Sequence, residues 1–299
     1  MCAARLCSAI PPDVLQQSFS VQERWPDKRL YSPSFSLGGG NVVAVMTLDK
    51  QQQKRRKLRS MVWGFRPSWL GQGGKLVRHA RAETLKAKAT FKDLLPRNRC
   101  VVLCEGFYLC NFGEKKAFYY QLPPSENGTP RVMALAALFT PNTTSGASTD
   151  SPIPATKYSV VVISVPTAPK LAKIHPRMPA VLNHVVINIW LNCKFQVDTA
   201  LGLLQPYDGL LCCGTTSILQ KVYVDSPELL QSFGEAGDDH VNSQLGQRES
   251  GSPKRILPPN QSEEEEEEED EQEDAVVMPN VVALGKRKQP DYYQHRYQA

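Results

Sequence analysis

The sequence predicts an α+β fold: one domain over about residues 1–228 with a curved, largely antiparallel β-sheet or barrel and flanking helices. Short runs rich in Val, Ile, Phe and Tyr recur between turn residues, whereas helical periodicity is clear in only three places. The 299 residues are 41% hydrophobic, which is enough for one sizeable core.

Eight short segments have the composition of β-strands and are bounded by turn residues. They are residues 41–47, 61–65, 100–104, 107–110, 117–122, 132–139, 158–165 and 209–216. Several of them follow one another with short connections, which favours antiparallel pairing.

Helical periodicity is present at residues 12–19, at 82–95 and at 182–205, the last interrupted near Lys194–Val197. The segments 122–130 and 141–156 are rich in Pro, Ser, Thr, Asn and Gly, which predicts a turn and a loop.

Residues 229–299 are predicted to be a disordered tail, because Gly, Ser, Gln, Glu and Pro dominate them. Residues 263–274 hold eleven acidic side chains, and the basic cluster 286–288 resembles a nuclear localisation signal. One hypothesis is that the acidic run folds back on the basic domain and competes with DNA.

The charge of the predicted domain points to a polyanion. Residues 1–225 carry 28 Lys and Arg against 13 Asp and Glu, and residues 50–99 alone carry 15 against 2. Nucleic acid is the commonest polyanion inside cells, and basic residues concentrated on one segment are typical of phosphate contacts. The alternative is a basic surface with no specific partner.

Composition argues against several other classes. No run of about 18 apolar residues predicts a membrane span, and the N-terminus lacks the apolar stretch of a signal peptide. The eight cysteines form no Cys-x-x-Cys pair, which disfavours a disulfide scaffold or a zinc ribbon. We therefore expect a reducing compartment, a monomer, and neither metal nor cofactor.

Cys2 is the first residue with chemical potential. Removal of Met1 leaves an α-amine with a pKa of about 7.7–8.0 beside a thiol with a pKa of about 8.5. Such a 1,2-aminothiol condenses with an aldehyde to a Schiff base, and the thiol then closes a thiazolidine ring. By position alone, the residue is more often incidental.

His175 is the second, in the segment Ile174-His175-Pro176-Arg177-Met178-Pro179 after an apolar strand. Its Pro-flanked position predicts a loop residue outside the packed core, and its ordinary pKa near 6.5 suits proton transfer. A surface histidine with no role is the alternative.

The order of several segments resembles the SOS-response-associated peptidase (SRAP) family over about residues 2–228. The matching segments are Met1-Cys2 with Arg5, Trp63-Gly64-Phe65-Arg66-Pro67-Ser68-Trp69, Ala80-Arg81-Ala82-Glu83-Thr84, Cys100 to Leu103 with Gly106-Phe107-Tyr108, and Ile174 to Leu182. The tail is not covered.

The resemblance implies a specific activity. Members shed Met1 autocatalytically, and Cys2 traps the aldehyde of an abasic site in single-stranded DNA as a thiazolidine crosslink that shields the lesion. His175 would assist opening of the sugar ring, and Arg81 and Arg177, with Arg5, would bind DNA. Trp69 would stack on a base or pack, whereas Trp63 is expected in the core. We expect a nuclear protein at chromatin and replication forks, with partners there and the cytoplasm as a second compartment.

The sequence departs from the family pattern at the expected active site. The Cys-Gly-Arg start is Cys2-Ala3-Ala4-Arg5, and the asparagine before Arg81 is replaced by His79. Leu109 replaces a glutamate that acts as acid and base, and Cys212-Cys213-Gly214-Thr215 corresponds to a His-x-Val-Ser segment.

These departures leave enzymatic activity open. Because leucine transfers no proton, steps that need the glutamate should slow by about 10²–10⁴-fold. The alternative function is a degenerate SRAP domain that binds DNA without catalysis. Glu105 could substitute for the carboxylate, but we expect it to be a surface or salt-bridged acid near Lys115 and Lys116. A cysteine protease for other substrates is disfavoured, because no Asn or Asp stands in a recognisable motif.

Overall fold

A computed structural model describes residues 5–49, 55–65, 76–126, 129–142, 156–216, 222–231 and 234–235 of the chain. Within these ranges the chain forms fourteen β-strands and five short α-helices. This is the α+β class that the sequence predicts.

The elements have the following bounds. The strands are β1 (Arg5–Ser8), β2 (Ser34–Leu37), β3 (Val42–Leu48), β4 (Arg56–Trp63), β5 (His79–Arg81), β6 (Arg99–Cys104), β7 (Gly106–Asn111), β8 (Lys116–Gln121), β9 (Met133–Pro141), β10 (Tyr158–Pro166), β11 (Arg177–Pro179), β12 (Val181–Leu182), β13 (Cys212–Thr216) and β14 (Gly234–Glu235). The α-helices are α1 (Pro12–Ser18), α2 (Ala89–Lys92), α3 (Ile187–Leu191), α4 (Val197–Gly202) and α5 (Glu228–Gln231), and 3-10 turns occupy Lys28–Leu30, Ala82–Thr84 and Pro169–Leu171.

The larger sheet closes into a barrel. Its strands run β10, β4, β3, β6 and β9 in neighbour order, and β9 pairs back with β10. Among the described pairings, only β10–β4 and β10–β5 are parallel. The curved, largely antiparallel sheet is therefore confirmed, and the interior is filled by apolar residues of these strands.

The second sheet has six strands in the order β14, β13, β8, β7, β1 and β2. Strand β1 lies between β2 and β7, with Arg5 opposite Tyr108 and Leu6 opposite Phe107. Side chains alternate between two cores along β7, since Phe107 and Leu109 join the main core and Tyr108 joins a smaller cluster.

Arg99 links the barrel to the helices. Its guanidinium is almost fully buried and donates hydrogen bonds to the carbonyl oxygens of Leu95, Trp190, Asn192 and Phe195. Carbonyl dipoles at chain turns thus satisfy a buried cation that has no carboxylate among these contacts.

Two of the predicted helices differ from the structure. Segment 82–95 contains a 3-10 turn and the four-residue α2, and segment 182–205 begins as β12 before α3 and α4. Helix α1 and all eight predicted strands are present, with shifted ends. The described elements continue past residue 228, because β14 at Gly234–Glu235 pairs with β13.

No described helix has both the length and the apolar composition of a membrane-crossing segment. The seven cysteines in the described ranges are all free thiols.

Candidate functional site

Strand β10 brings two sequence-predicted segments together. On one side β5 runs parallel to it, with His79 opposite Val162 and Arg81 opposite Ser164. At the same end, β11 runs antiparallel to β10, with Arg177 opposite Pro166. Residues about 80 and 175 along the chain therefore meet at one end of the barrel wall.

His175 lies in the loop just before β11. The prediction that it would stay outside the packed interior is wrong, because the residue is only 9% exposed. The 3-10 turn Pro169–Leu171 folds the loop back, and the His175 amide donates to the carbonyl of Leu171 at 3.2 Å.

The backbone of Arg177 orients the His175 ring. Nδ1 lies 2.7 Å from the carbonyl oxygen of Arg177 and 3.1 Å from its amide nitrogen. Because the carbonyl oxygen accepts and the amide N–H donates, the two contacts require opposite roles of Nδ1, and each tautomer of the neutral ring satisfies one of them. In the charged ring, Nδ1 donates to the carbonyl and Nε2 carries a second proton.

The side chain of Arg177 is held by protein acceptors. Nε donates to the Ser164 hydroxyl at 3.1 Å, and Nη2 donates to the Ser164 carbonyl at 2.8 Å. Nη1 and Nη2 also donate to the two carboxylate oxygens of Glu83, at 3.2 and 3.0 Å. Four of the five N–H donors of Arg177 are thus engaged, which fixes the guanidinium in one orientation.

Glu83 is a site residue to which the sequence assigned no role beyond its place in the segment Ala80-Arg81-Ala82-Glu83-Thr84. Partial burial alone would raise the pKa of its carboxyl, but the hydrogen bonds and charge of Arg177 outweigh this and lower the pKa. Its position two residues after Arg81, in a basic segment, is the sequence signal that could have indicated a paired carboxylate.

His79, at the position of the family asparagine, is a neutral imidazole. Burial, together with the nearby positive groups Arg78 and His175, lowers the pKa of His79 to about 3. Its ring packs edge-on against Trp63, with centroids 5.5 Å apart. Nε2 is buried and has no hydrogen-bond partner among the described residues. Buried polar atoms are usually hydrogen-bonded, so this nitrogen could bond to a bound ligand.

Arg78 is a second residue that the sequence analysis did not single out. A Cβ on Gly39 would lie 2.2 Å from Cδ of Arg78, and one on Gly64 would lie 3.2 Å from its Cγ. These two glycines leave the space that the Arg78 stem occupies. Glycines at 38–40 and at 64 in one chain were the available signal, but their spatial convergence is not visible in the sequence.

Arg5, the first residue of β1, extends the cluster toward the N-terminus. Its guanidinium donates to the hydroxyl and the carbonyl of Ser36. Burial lowers the pKa of Arg5, and the charge of Arg78 adds to that effect. The charge of Arg78 thus lowers the pKa of both Arg5 and His79, and that of His175 also lowers the pKa of His79, so the four groups lie near one another.

Leu109 lies in the middle of β7, opposite Phe118, and is fully buried. It belongs to the main apolar core. The side chain at this position can pack but cannot exchange protons, so the structure offers no carboxylate here.

Glu105 corrects a prediction. It is not a surface acid near Lys115 and Lys116 but is fully buried between β6 and β7. Its amide donates to the carbonyl of Cys7 at 2.7 Å, which attaches the connection between β6 and β7 to β1. Its negative charge contributes to the raised pKa values of Cys7 and Cys104, after the larger effect of burial.

Cys2 and Trp69 lie outside the described residues, as do the acidic run 263–274 and the basic cluster 286–288. Arg81 is exposed on β5, one residue from buried Ala80. The described part of the site thus contains cationic groups, a neutral imidazole and a buried histidine. Such a set can bind an anion and move a proton.

No group of three or more His, Cys, Asp or Glu residues in the described ranges is arranged to hold a metal ion.

Comparison with known proteins identifies relatives of the whole domain. The family model described as SOS response associated peptidase (SRAP) matches residues 1–221. The chain is 28% identical over 302 residues to the abasic site processing protein HMCES of Xenopus tropicalis, covering 85% of this chain and 87% of that protein. It is also 28% identical over 228 residues to the abasic site processing protein YoqW of Bacillus subtilis, covering 74% of this chain and 94% of that protein.

Solved structures share the fold. A crystal structure of a protein from Bacteroides thetaiotaomicron superposes with a TM-score of 0.61 at 15% identity, covering 76% of this chain and 98% of that one. One from Bordetella bronchiseptica has a TM-score of 0.54 at 15% identity, covering 72% and 99%.

Proposed function

Because this chain belongs to the SRAP family, we propose that it binds single-stranded DNA at abasic sites and captures them covalently through Cys2. The observation that carries the proposal is that Arg5, Arg78, His79 and His175 lie near one another. Arg5 is the first residue of β1, three positions after Cys2. The curated relatives described above are named abasic site processing proteins, which supports the same substrate.

The cationic residues would hold the DNA backbone. Arg78 lies close enough to Arg5 for its charge to disfavour the charged form of Arg5, and a bound phosphate would offset that repulsion. Arg81 is exposed and suits direct phosphate contact. Arg177 is already bound to Glu83 and Ser164, so we assign it chiefly to orienting His175.

The covalent step balances without an oxidant or a metal. The sugar hemiacetal opens as its ring oxygen gains a proton and its anomeric hydroxyl loses one, which gives an aldehyde. The α-amine of Cys2 adds to the aldehyde carbon and water leaves, forming a Schiff base. The thiol then adds to the same carbon and its proton passes to nitrogen, giving a thiazolidine.

His175 is the residue that we assign to proton transfer in ring opening. It is buried, and its Nδ1 contacts the backbone of Arg177, which holds the ring in one orientation. His79, kept neutral by its low pKa, can replace the family asparagine, since a neutral imidazole and an amide each offer a donor and an acceptor.

A denaturing gel tests the proposal. The full chain without Met1 is incubated with single-stranded DNA that carries an abasic site, and a band resistant to denaturation is expected. Cys2→Ala removes the thiol and abolishes that band, whereas Cys193→Ala, at another partly exposed cysteine, keeps it. Cys2→Ser retains the amine and is expected to give an adduct only after borohydride reduction.

The second candidate function is DNA binding without covalent capture, and the burial of Leu109 in the apolar core favours it. It predicts a shifted band on a native gel and none after denaturation. That pair of results would replace the first proposal with the second.

We further propose a nuclear location, with action at replication forks as a monomer. The support is the basic domain and the cluster 286–288, together with the names of the relatives.

A further inference from the structure

A short segment after the family match crosses the edge of the second sheet. The SRAP model ends at residue 221, and the segment begins with Val222, which is fully buried in the smaller core. The Ser36 hydroxyl donates to the Val222 carbonyl, and the Phe35 amide donates to a carboxylate oxygen of Asp225 at 2.8 Å. One hydrogen bond to the Val222 backbone and one to the Asp225 side chain therefore attach the segment to β2 on both sides of Tyr223.

Tyr223 lies against a guanidinium that cannot easily move. Cζ of Arg5 is 5.2 Å from the centre of the Tyr223 ring, a cation–π arrangement. Ser36 holds that guanidinium, and Gly38 leaves it room, since a Cβ there would lie 2.8 Å from Nη1. Tyr223 nevertheless remains 47% exposed.

The other large exposed apolar side chains in the described part of the chain differ from Tyr223. They are Phe112, Val185, Phe195, Leu210 and Val224. Of these, only Phe112 and Phe195 have aromatic rings, and no cation is described over either ring. Proteins that bind single strands stack bases on exposed aromatic side chains and gain cation–π contributions from arginine, and both kinds of side chain are present here.

We propose that Tyr223 is a stacking subsite for an unpaired nucleobase next to the abasic nucleotide. This inference rests on the proposed function. The three residues from Cys2 to Arg5 span at most about 11 Å, and stacked nucleotides are about 3.4 Å apart. The base on Tyr223 thus belongs to a nucleotide within a few positions of the one that Cys2 captures. Since every base has a π-face, the subsite accepts any of the four.

The test measures stacking without covalent capture. The full chain is titrated with a single-stranded oligonucleotide that carries a tetrahydrofuran abasic analogue, which has no aldehyde, flanked by fluorescent 2-aminopurine. Wild type and Tyr223→Phe are expected to quench the fluorescence. Tyr223→Ser is expected to lose the quenching and to bind about 5- to 100-fold more weakly. Phe112→Ser, at an exposed ring without a cation partner, is the matched control.

The salt dependence separates this inference from the proposed function. Tyr223→Ser removes no phosphate contact, so the slope of log affinity against log salt should stay at the wild-type value. If Tyr223→Ser binds and quenches like wild type, the stacking subsite is wrong while DNA binding stands. If the serine variant weakens binding and Tyr223→Phe does not restore it, the ring is not the contact. If wild type shows no salt-sensitive binding, the proposed function and the subsite both fall.

Discussion

The two sides of the candidate site differ in how much of the SRAP pattern they keep. Around β10, His175 and Arg177 are retained. The His175 ring contacts the backbone of Arg177, and the side chain of Arg177 donates to Ser164 and Glu83. On β7, Leu109 stands at the position where the SRAP pattern has a glutamate, and it is buried among apolar side chains. Because the cationic groups and Leu109 lie on separate strands, we expect anion binding to persist although no carboxylate stands at position 109.

The polar side is tested most strongly at His175. The substitution His175→Ala removes the proposed proton donor, and crosslink formation should slow by about 10²–10⁴-fold. Binding to the unreactive tetrahydrofuran analogue should stay within about twofold, since the residues proposed to contact the DNA phosphates are Arg5, Arg78 and Arg81. The control is His184→Ala, at an exposed histidine. Equal slowing in both variants would remove His175 from the mechanism.

His79 should make the fold sensitive to acid. Its pKa of about 3 in the folded chain lies below the ordinary value of 6.5, so the unfolded chain takes up a proton first as pH falls. Stability is full above pH 6.5 and declines between pH 6.5 and 3, by about 2 kcal/mol at pH 5. His79→Asn should reduce this loss in urea unfolding at pH 7.5 and 5, whereas His184→Asn should not.

The effect of the leucine on β7 can be tested by placing a carboxylate at position 109. Leu109→Glu is expected to increase release of the crosslink about tenfold or more. The same change should lower the free energy of unfolding, because a carboxyl enters the apolar core. Leu109→Gln carries a similar shape without a transferable proton, so it should destabilise the fold without faster release. Equal release rates in all three proteins would show that the missing carboxylate is not limiting.

Arg81 should give the smallest effect. Loss of one phosphate contact in Arg81→Ala lowers affinity by a few-fold at low salt and reduces the slope of log affinity against log salt by about 1. Arg131→Ala, at an exposed arginine outside the site strands, is the control and should leave the slope unchanged.

The sequence predicted what depends on local pattern. Strands β3, β6, β8 and β10 are apolar runs between turn residues, so their composition was sufficient. The three-residue strands β5 and β11 were missed, because pairing with β10 defines them rather than their own residues. A helix over 82–95 was predicted from periodicity, but the structure has only the 3-10 turn Ala82–Thr84 and the four-residue α2 in this segment.

The site was predicted in part for the same reason. His175, Arg177 and Arg81 stand in recognisable segments. The buried state of Glu105 and the place of Arg78 between Gly39 and Gly64 depend on contacts between distant parts of the chain. Tyr223 lies beyond the family match, so no motif indicated it.

Covalent capture by the processed N-terminus is tested most directly by intact mass. The full chain is incubated with single-stranded DNA containing an abasic site, denatured and weighed. The expected species has the mass of the chain lacking Met1 plus the oligonucleotide minus one water. A chain that keeps Met1, or that carries no added mass after denaturation, would contradict covalent capture.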